Sequence, residues 1–443
     1  MCQSFEYIKS YLAKRLFGYE FSFRLGDKSR PSMSLDDFAK FITFPPFLSG
    51  FEHTALLKDQ PLELRMVPAD DFIRNILDET EIPILCEQDV LVPARLITLE
   101  ENSVHINFDL LGTIFYILTR IEEIKSHVRD EHDRFPASAS HALNHNYLHR
   151  PVVDEHIEIL WRCIQHLWPG AERRQETFRT MVTHDVDAPF EYLFRPTWKM
   201  LRSFGSDILR RRNLRRAFSR AAGWFDVKYM GNWQKDPFYT FETIMDISES
   251  YGLKSAFYFL TEKYDLTHPR VRALINRIHE RGHEIGYHGS YSTYLDSGRM
   301  EQEVRFFLKT VGRLQDDWGG RQHFLRWRAP VTWRNYTEAG LSYDTTLSYA
   351  DCAGFRCGTC HPFKPFDIER GETLDLIEYP LTVMECSVLD EQYMNLPLGE
   401  AMEHMLKLKD ACRKFNGIFV ILWHNSSFFD PMEVEMFKQV LEG

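Results

Sequence analysis

At 443 residues, 44% of them apolar and 14% aromatic, the chain holds enough hydrophobic material for two or three units and excludes a disordered protein. Its formal net charge of −11 argues against generic nucleic-acid binding, and its eight scattered cysteines read as reduced thiols rather than a disulfide framework. The start shows no basic-then-apolar signal pattern and the longest apolar stretch, residues 110–118, is far short of the roughly 20 needed to span a bilayer, so a cytoplasmic location is expected.

In chain order, the apolar spacing of residues 110–124 predicts a helix, with Asp109 available to cap it. Residues 153–167 predict a second helix, ended by Pro169 and Gly170. The polar stretch 133–151 between them reads as a loop packed on the next domain. A break at 170–175 leads to an apolar strand over 178–183, which runs into Thr183-His184-Asp185-Val186-Asp187. Residues 195–220 then hold nine Lys or Arg and a single acid, Asp207. A basic amphipathic segment of this kind suits peripheral contact with a membrane or a phosphate-bearing substrate, and a solvated helical insertion is the plainer alternative.

Beyond it strands and helices alternate. A helix opens at Asp236 and Pro237 and closes at Gly252; a strand follows at 254–260, a helix at 269–281 and a strand at 283–288. A helix from 298 to about 318, a strand at 323–328, a short helix at 333–339 and a strand at 341–347 come next. Strands at 374–384 and 417–424 flank a helix over 400–415. This alternation argues for a parallel sheet, closed or nearly closed into a barrel whose chemistry sits at the C-terminal strand ends. Two domains are expected: an α/β unit over 1–172, and the barrel over 173–443 with a basic insertion around 195–230.

On a strand, positions i and i+2 face the same way, so Asp185 and Asp187 share one side of a strand tip. The other strand ends add His288, Arg328, Glu378, Glu385 and His424, and a barrel would gather them at one mouth. Asp187 and His288 are the ligand types a divalent transition metal prefers. Asp185 is then a candidate base, His424 a candidate acid, and Arg328 a partner that keeps Asp185 ionised. Cys357-Gly358-Thr359-Cys360-His361 spells a haem-attachment pattern. Without an export signal, it reads instead as a mouth-lining loop over 354–362, with Arg356 or His361 touching substrate.

From about residue 178 onward the chain resembles the polysaccharide deacetylases, the NodB-homology carbohydrate esterase family. The motifs are Thr183-His184-Asp185-Val186-Asp187, the strand from Gly282 to His288, Arg328-Ala329-Pro330 followed by Trp333, and Leu422-Trp423-His424. The first ~170 residues look like an accessory domain that precedes such units. The resemblance implies a distorted (β/α)7-type barrel preceded by a smaller α/β domain, and a hydrolase that removes N-acetyl groups from amino sugars. It implies Asp185 as base toward water at the metal, Asp187 and His288 as ligands and His424 as acid. It also implies Arg328 tuning Asp185, with the Val331 N–H helping at the oxyanion.

One departure stands out: the family's second ligand histidine falls on Ser292, a poor ligand for zinc. His184 and Glu385 are conceivable replacements. The expected cofactor is a divalent transition metal (zinc first, cobalt or nickel as alternatives), weakened at Ser292. Trp333, Glu385 and Arg356 are expected at the substrate. The expected substrate is an amino-sugar glycan or precursor, lipid-phosphate- or nucleotide-linked. Two alternatives stay open: a metal-free or weakly metallated amidohydrolase of a small cyclic amide or ureide, and a catalytically silent glycan-binding barrel.

Overall fold

The computed structural model describes residues 3–16, 21–25, 30–35, 39–47, 62–88, 90–209, 214–312 and 314–443, with only the backbone for 25, 205–209, 214–217 and 219. Its C-terminal part is built on eight parallel strands: Arg179–Val186, Ser255–Leu260, Glu284–Gly289, Gly319–Gln322, Tyr343–Asp344, Ile377–Glu378, Val383–Met384 and Ile418–Leu422. Each pairs with its neighbour in sequence, and the last returns to the first through Leu422 opposite Thr183. The pairing is interrupted only between the sixth and seventh strands, each two residues long. The result is a barrel with one gap.

The second and eighth strands, Ser-Ala-Phe-Tyr-Phe-Leu and Ile-Phe-Val-Ile-Leu, are buried at every position. Continuous apolar runs are what a parallel sheet covered on both faces requires.

The fourth strand lies earlier than the sequence suggested. Gly319 and Gly320 fall between the expected helix and strand, yet both are strand residues. A Cβ on Gly320 would lie 1.9 Å from the Tyr287 carbonyl oxygen, and one on Gly319 would lie 2.2 Å from the Tyr343 ring. Close approach, not flexibility, calls for glycine here. The expected strand at 323–328 is instead a tight turn in which Phe324 and Leu325 have φ of 62° and 53°.

Other elements shift for local reasons. Asp109 does cap a helix, accepting from the Gly112 N–H at 2.7 Å, but that helix ends at Leu118 and a second, Ile121–Lys125, follows Arg120 at φ 56°. Asp236 caps nothing. Its carboxylate accepts from the N–H groups of Glu191, Tyr192 and Phe238 and pins the chain after the first strand, while the helix starts at Phe241. The helix expected to reach 318 runs Ser297–Val311 and stops at Gly312, φ 81°.

The N-terminal part has the helix Gln3–Leu16, a five-stranded sheet, and the hairpin Leu62–Pro68 with Glu81–Glu87. The helices Leu110–Leu118 and Val152–Leu167 pack on these and on the barrel.

The loop over 354–362, expected at the mouth, is the seam between the two parts. Arg356, 3% exposed, donates to both oxygens of Glu123 at 2.9 and 2.6 Å and lies over the Trp327 and Tyr349 rings. Asp154 accepts from the Thr359 hydroxyl and the Cys360 N–H. His361 pairs with Glu176 at 3.0 Å. Neither Arg356 nor His361 reaches a substrate site: the N-terminal helices offer apolar contact and carboxylates, and the loop turns toward them.

The basic insertion forms the helices Thr197–Leu209 and Leu214–Lys228. Residues 210–213 and the side chains of 205–217 lie outside the described residues, and with them most of the expected membrane-contact patch. Among the described residues, no helix is long and apolar enough to cross a membrane.

Candidate active site

Asp185 lies within the first strand, buried, and its Oδ1 accepts from Arg321 Nη1 at 2.9 Å. Arg321 comes from the fourth strand. It is pinned by Nε to the Thr345 carbonyl at 2.9 Å, by Nη2 to the Thr345 hydroxyl at 3.1 Å, and by the Tyr258 ring beneath it. Burial alone would raise the Asp185 carboxyl, but Arg321, His288 and His424 outweigh it and hold it below its ordinary range.

The buried guanidinium that pairs with Asp185 is therefore Arg321, not the expected Arg328. Arg328 donates instead to both oxygens of Asp133, at 2.7 and 2.6 Å. The reason is the strand shift: with the strand ending at Gln322, Arg328 lies past the turn and faces the N-terminal part. Val331 begins the helix Val331–Glu338 and is not among the described residues that line the pocket around Asp185.

Asp187 Oδ1, His288 Nε2 and His323 Nε2 face one another. His288 lies 3.4 Å and His323 3.2 Å from Asp187 Oδ1, and the three donors sit within 4.8 Å of one another. His288 Nδ1 donates to the Arg321 carbonyl at 2.8 Å, which leaves the Nε2 lone pair turned inward. Asp187 Oδ1 is shielded from solvent, and among the described residues only the two imidazole nitrogens approach it. Burial would raise its carboxyl; the two histidines hold it well below the usual range. The Lys263 ammonium is drawn to the same spot, 3.1 Å from His323 Nε2 and 3.8 Å from Asp187 Oδ2. One buried carboxylate oxygen and two imidazoles form a donor set that fits a divalent transition metal.

Ser292 is not part of this set: its hydroxyl accepts from Arg299 Nη1 at 2.6 Å. Nor do the suggested replacements fill in. His184 faces the other side of the strand, bonded to the Trp423 carbonyl and the Ser255 hydroxyl and stacked on Phe257. Glu385 is engaged with His424. The third candidate donor is His323, hidden in the sequence because the strand leading to it lies at 319–322 rather than 323–328. Arg321 and His323 repeat the i, i+2 spacing of Asp185 and Asp187 at a strand tip, and that was the available signal.

His424 follows the eighth strand, and its Nδ1 donates to Glu385 Oε1 at 2.7 Å. The same oxygen accepts from the His424 N–H and the Ser427 hydroxyl. Burial opposes charge on His424, but Glu385, with help from Cys386, outweighs it and raises the imidazole well above its ordinary value. Trp333, expected at the substrate, is fully buried and donates from Nε1 to Glu378 at 2.8 Å, a strut inside the barrel.

Asp185, Asp187, His288, His323 and His424 line a single open pocket of about 520 Å³. A further buried group, Asp154, Cys360 and His361, is already served by the Arg15 cation and the Thr359 hydroxyl.

Residues 228–344 match the family described as polysaccharide deacetylase, and residues 1–169 match a family of unknown function, DUF7033. His288, Arg321 and His323 fall inside the first match. No curated protein matches the chain. Among solved structures, a protein of Mycobacterium smegmatis named as a polysaccharide deacetylase is 18% identical, with a TM-score of 0.40 over 61% of this chain and 85% of that one. A second so named, from Pseudomonas aeruginosa PAO1, is 12% identical, with a TM-score of 0.33 over 48% and 70%. The PuuE allantoinase is 16% identical, with a TM-score of 0.33 over 48% and 70%.

Proposed function

We propose that this chain, a member of the polysaccharide deacetylase family and so a hydrolase of C–N amide bonds, removes N-acetyl groups from an amino-sugar glycan or glycan precursor. The observation that carries the reading is a pair of opposed ion pairs on one pocket, Asp185 with Arg321 and His424 with Glu385. A metal held by Asp187, His288 and His323 would supply Lewis-acid chemistry, polarising the acyl oxygen and making water more acidic.

Asp185 is kept as a carboxylate by Arg321 and takes a proton from the attacking water as its oxygen bonds the acyl carbon. His424 enters protonated, because Glu385 stabilises its charge, and gives that proton to the amine nitrogen as the C–N bond breaks. Acetate and a free amine leave. Glu385 also fixes the orientation of the imidazole.

The substrate is taken to be a cytoplasmic precursor carrying a lipid phosphate or nucleotide, supported by the scattered cysteines and the basic segment over 195–220. Acetate release from N-acetylglucosamine oligosaccharides is the direct test. Loss of release in Asp185→Asn, and on chelation, is the expected result. Activity on a cyclic ureide alone, indifferent to chelators, would replace this reading with a metal-free amidohydrolase.

A further inference from the structure

We propose that the N-terminal part completes the substrate site, with Arg134 binding a sugar ring that neighbours the one being deacetylated. This rests on the glycan reading above. Arg134 lies within the stretch that matches the family of unknown function, yet it lines the same pocket as Asp185 and His424.

Arg134 is 5% exposed and rigidly held. Its Nε donates to Asp130 Oδ2 at 2.7 Å and its Nη1 to the Phe324 carbonyl at 2.9 Å. Its Nη2 has no partner among the described residues, which leaves one edge of the guanidinium to offer hydrogen bonds to the pocket.

The segment over 130–134 is gripped from the barrel side. Asp133, at φ 59°, accepts from Arg328 and from the Tyr294 hydroxyl. The His132 carbonyl accepts from Arg326 Nε at 2.7 Å, and the His132 ring lies 4.7 Å from that of Phe324. The same bonds that tie Arg134 to Asp130 and Phe324 give it the fixed placement a binding residue needs.

Two aromatic side chains flank it. Phe324 lines the pocket 41% exposed, in the left-handed turn that directly follows His323. Tyr393 lines it as well, its ring 6.0 Å from the Arg134 guanidinium. An arginine edge for hydroxyls beside apolar ring faces for C–H surface is the chemistry of a sugar subsite, so the ligand is a glycan of two or more rings.

The test is calorimetric binding of the N-acetylglucosamine tetramer and of monomeric N-acetylglucosamine to the full chain and to Arg134→Ala. We expect the tetramer to bind at least tenfold more tightly than the monomer, and the variant to cut that advantage below threefold. An unchanged ratio, including one in which both affinities fall together, would reduce Arg134 to structural support and overturn the proposal. Wild-type protein that bound the two sugars equally would overturn it too. Should Arg134→Ala fail to fold, Tyr393→Ala is read by the same ratio and the same criteria. Tetramer binding that depends on Arg134 without any acetate release would uphold this subsite and overturn the deacetylase reading alone.

Discussion

Arg321 and Asp185 stand 136 positions apart in sequence and 2.9 Å apart in space, each buried and each held by its own strand. Removing one partner leaves the other as an uncompensated buried charge. Arg321→Met is expected to lower amide hydrolysis by roughly 10²-fold, the low end of what a positioned acid or base contributes. Arg328→Met, which disturbs only the Asp133 contact, should cost less than about tenfold on the same scale. Steady-state acetate release decides it, and a larger loss at position 328 would restore the assignment expected from sequence.

Metal content gives a second comparison. Elemental analysis of protein purified without chelators should find about one divalent transition metal per chain, bound through three protein ligands. Asp187→Ala, His288→Ala and His323→Ala should each lose it, whereas Ser292→Ala should retain it, because the Ser292 hydroxyl is spent on Arg299. A metal that survives His323→Ala would dismiss the trio.

The alkaline limb of the rate profile reports the acid. His424 is raised well above its ordinary value by Glu385, so it stays protonated through neutral pH and activity falls only as pH rises past that elevated value. In Glu385→Gln the raising charge is gone while burial remains. The limb should then move to lower pH by roughly one to two units. Rates measured from pH 6 to 10 would show it; an unmoved limb would free His424 from the role of acid.

Inside the barrel, Asp344 and Glu378 face each other across paired strands, both raised chiefly by burial. Asp344 reaches about 7. A folded-state value above the unfolded one means that the folded chain holds the extra proton. That stabilisation is complete below the unfolded carboxylate range near 4 and is lost as pH rises through about 7. Glu378→Gln keeps an acceptor for Trp333 Nε1 and can donate to Asp344. Its melting temperature should fall less than that of wild type between pH 4 and pH 8, by a few degrees. Parallel curves would mean that the pair does not titrate there.

The barrel, the Asp185–Asp187 strand tip, His288 and His424 could all be read along the chain because each lies beside an apolar run with the period of a buried strand. Arg321 and His323 offer only their i, i+2 spacing. The strand that ends just before His323 is four residues long and begins with two glycines, which are there for contact with Tyr287 and Tyr343 rather than for a turn. Local pattern carries no trace of that contact. Arg356 and Trp333 misled for the converse reason: each sits near a motif in sequence but points into a seam or a core that only tertiary packing creates.

The seam also bears on how the molecule can be cut. Cleaving the chain between the two matched stretches would strip Glu123 from Arg356, Asp154 from Cys360 and the apolar cover from Gly358, whose Cβ position already lies 2.8 Å from Ile117. The severed pairs and the bared apolar seam would cost the barrel a large share of its marginal stability. The barrel is therefore no portable cassette: a chimera that borrows its chemistry must import the helices Leu110–Leu118 and Val152–Leu167 as well, or be recoded along the loop that meets them.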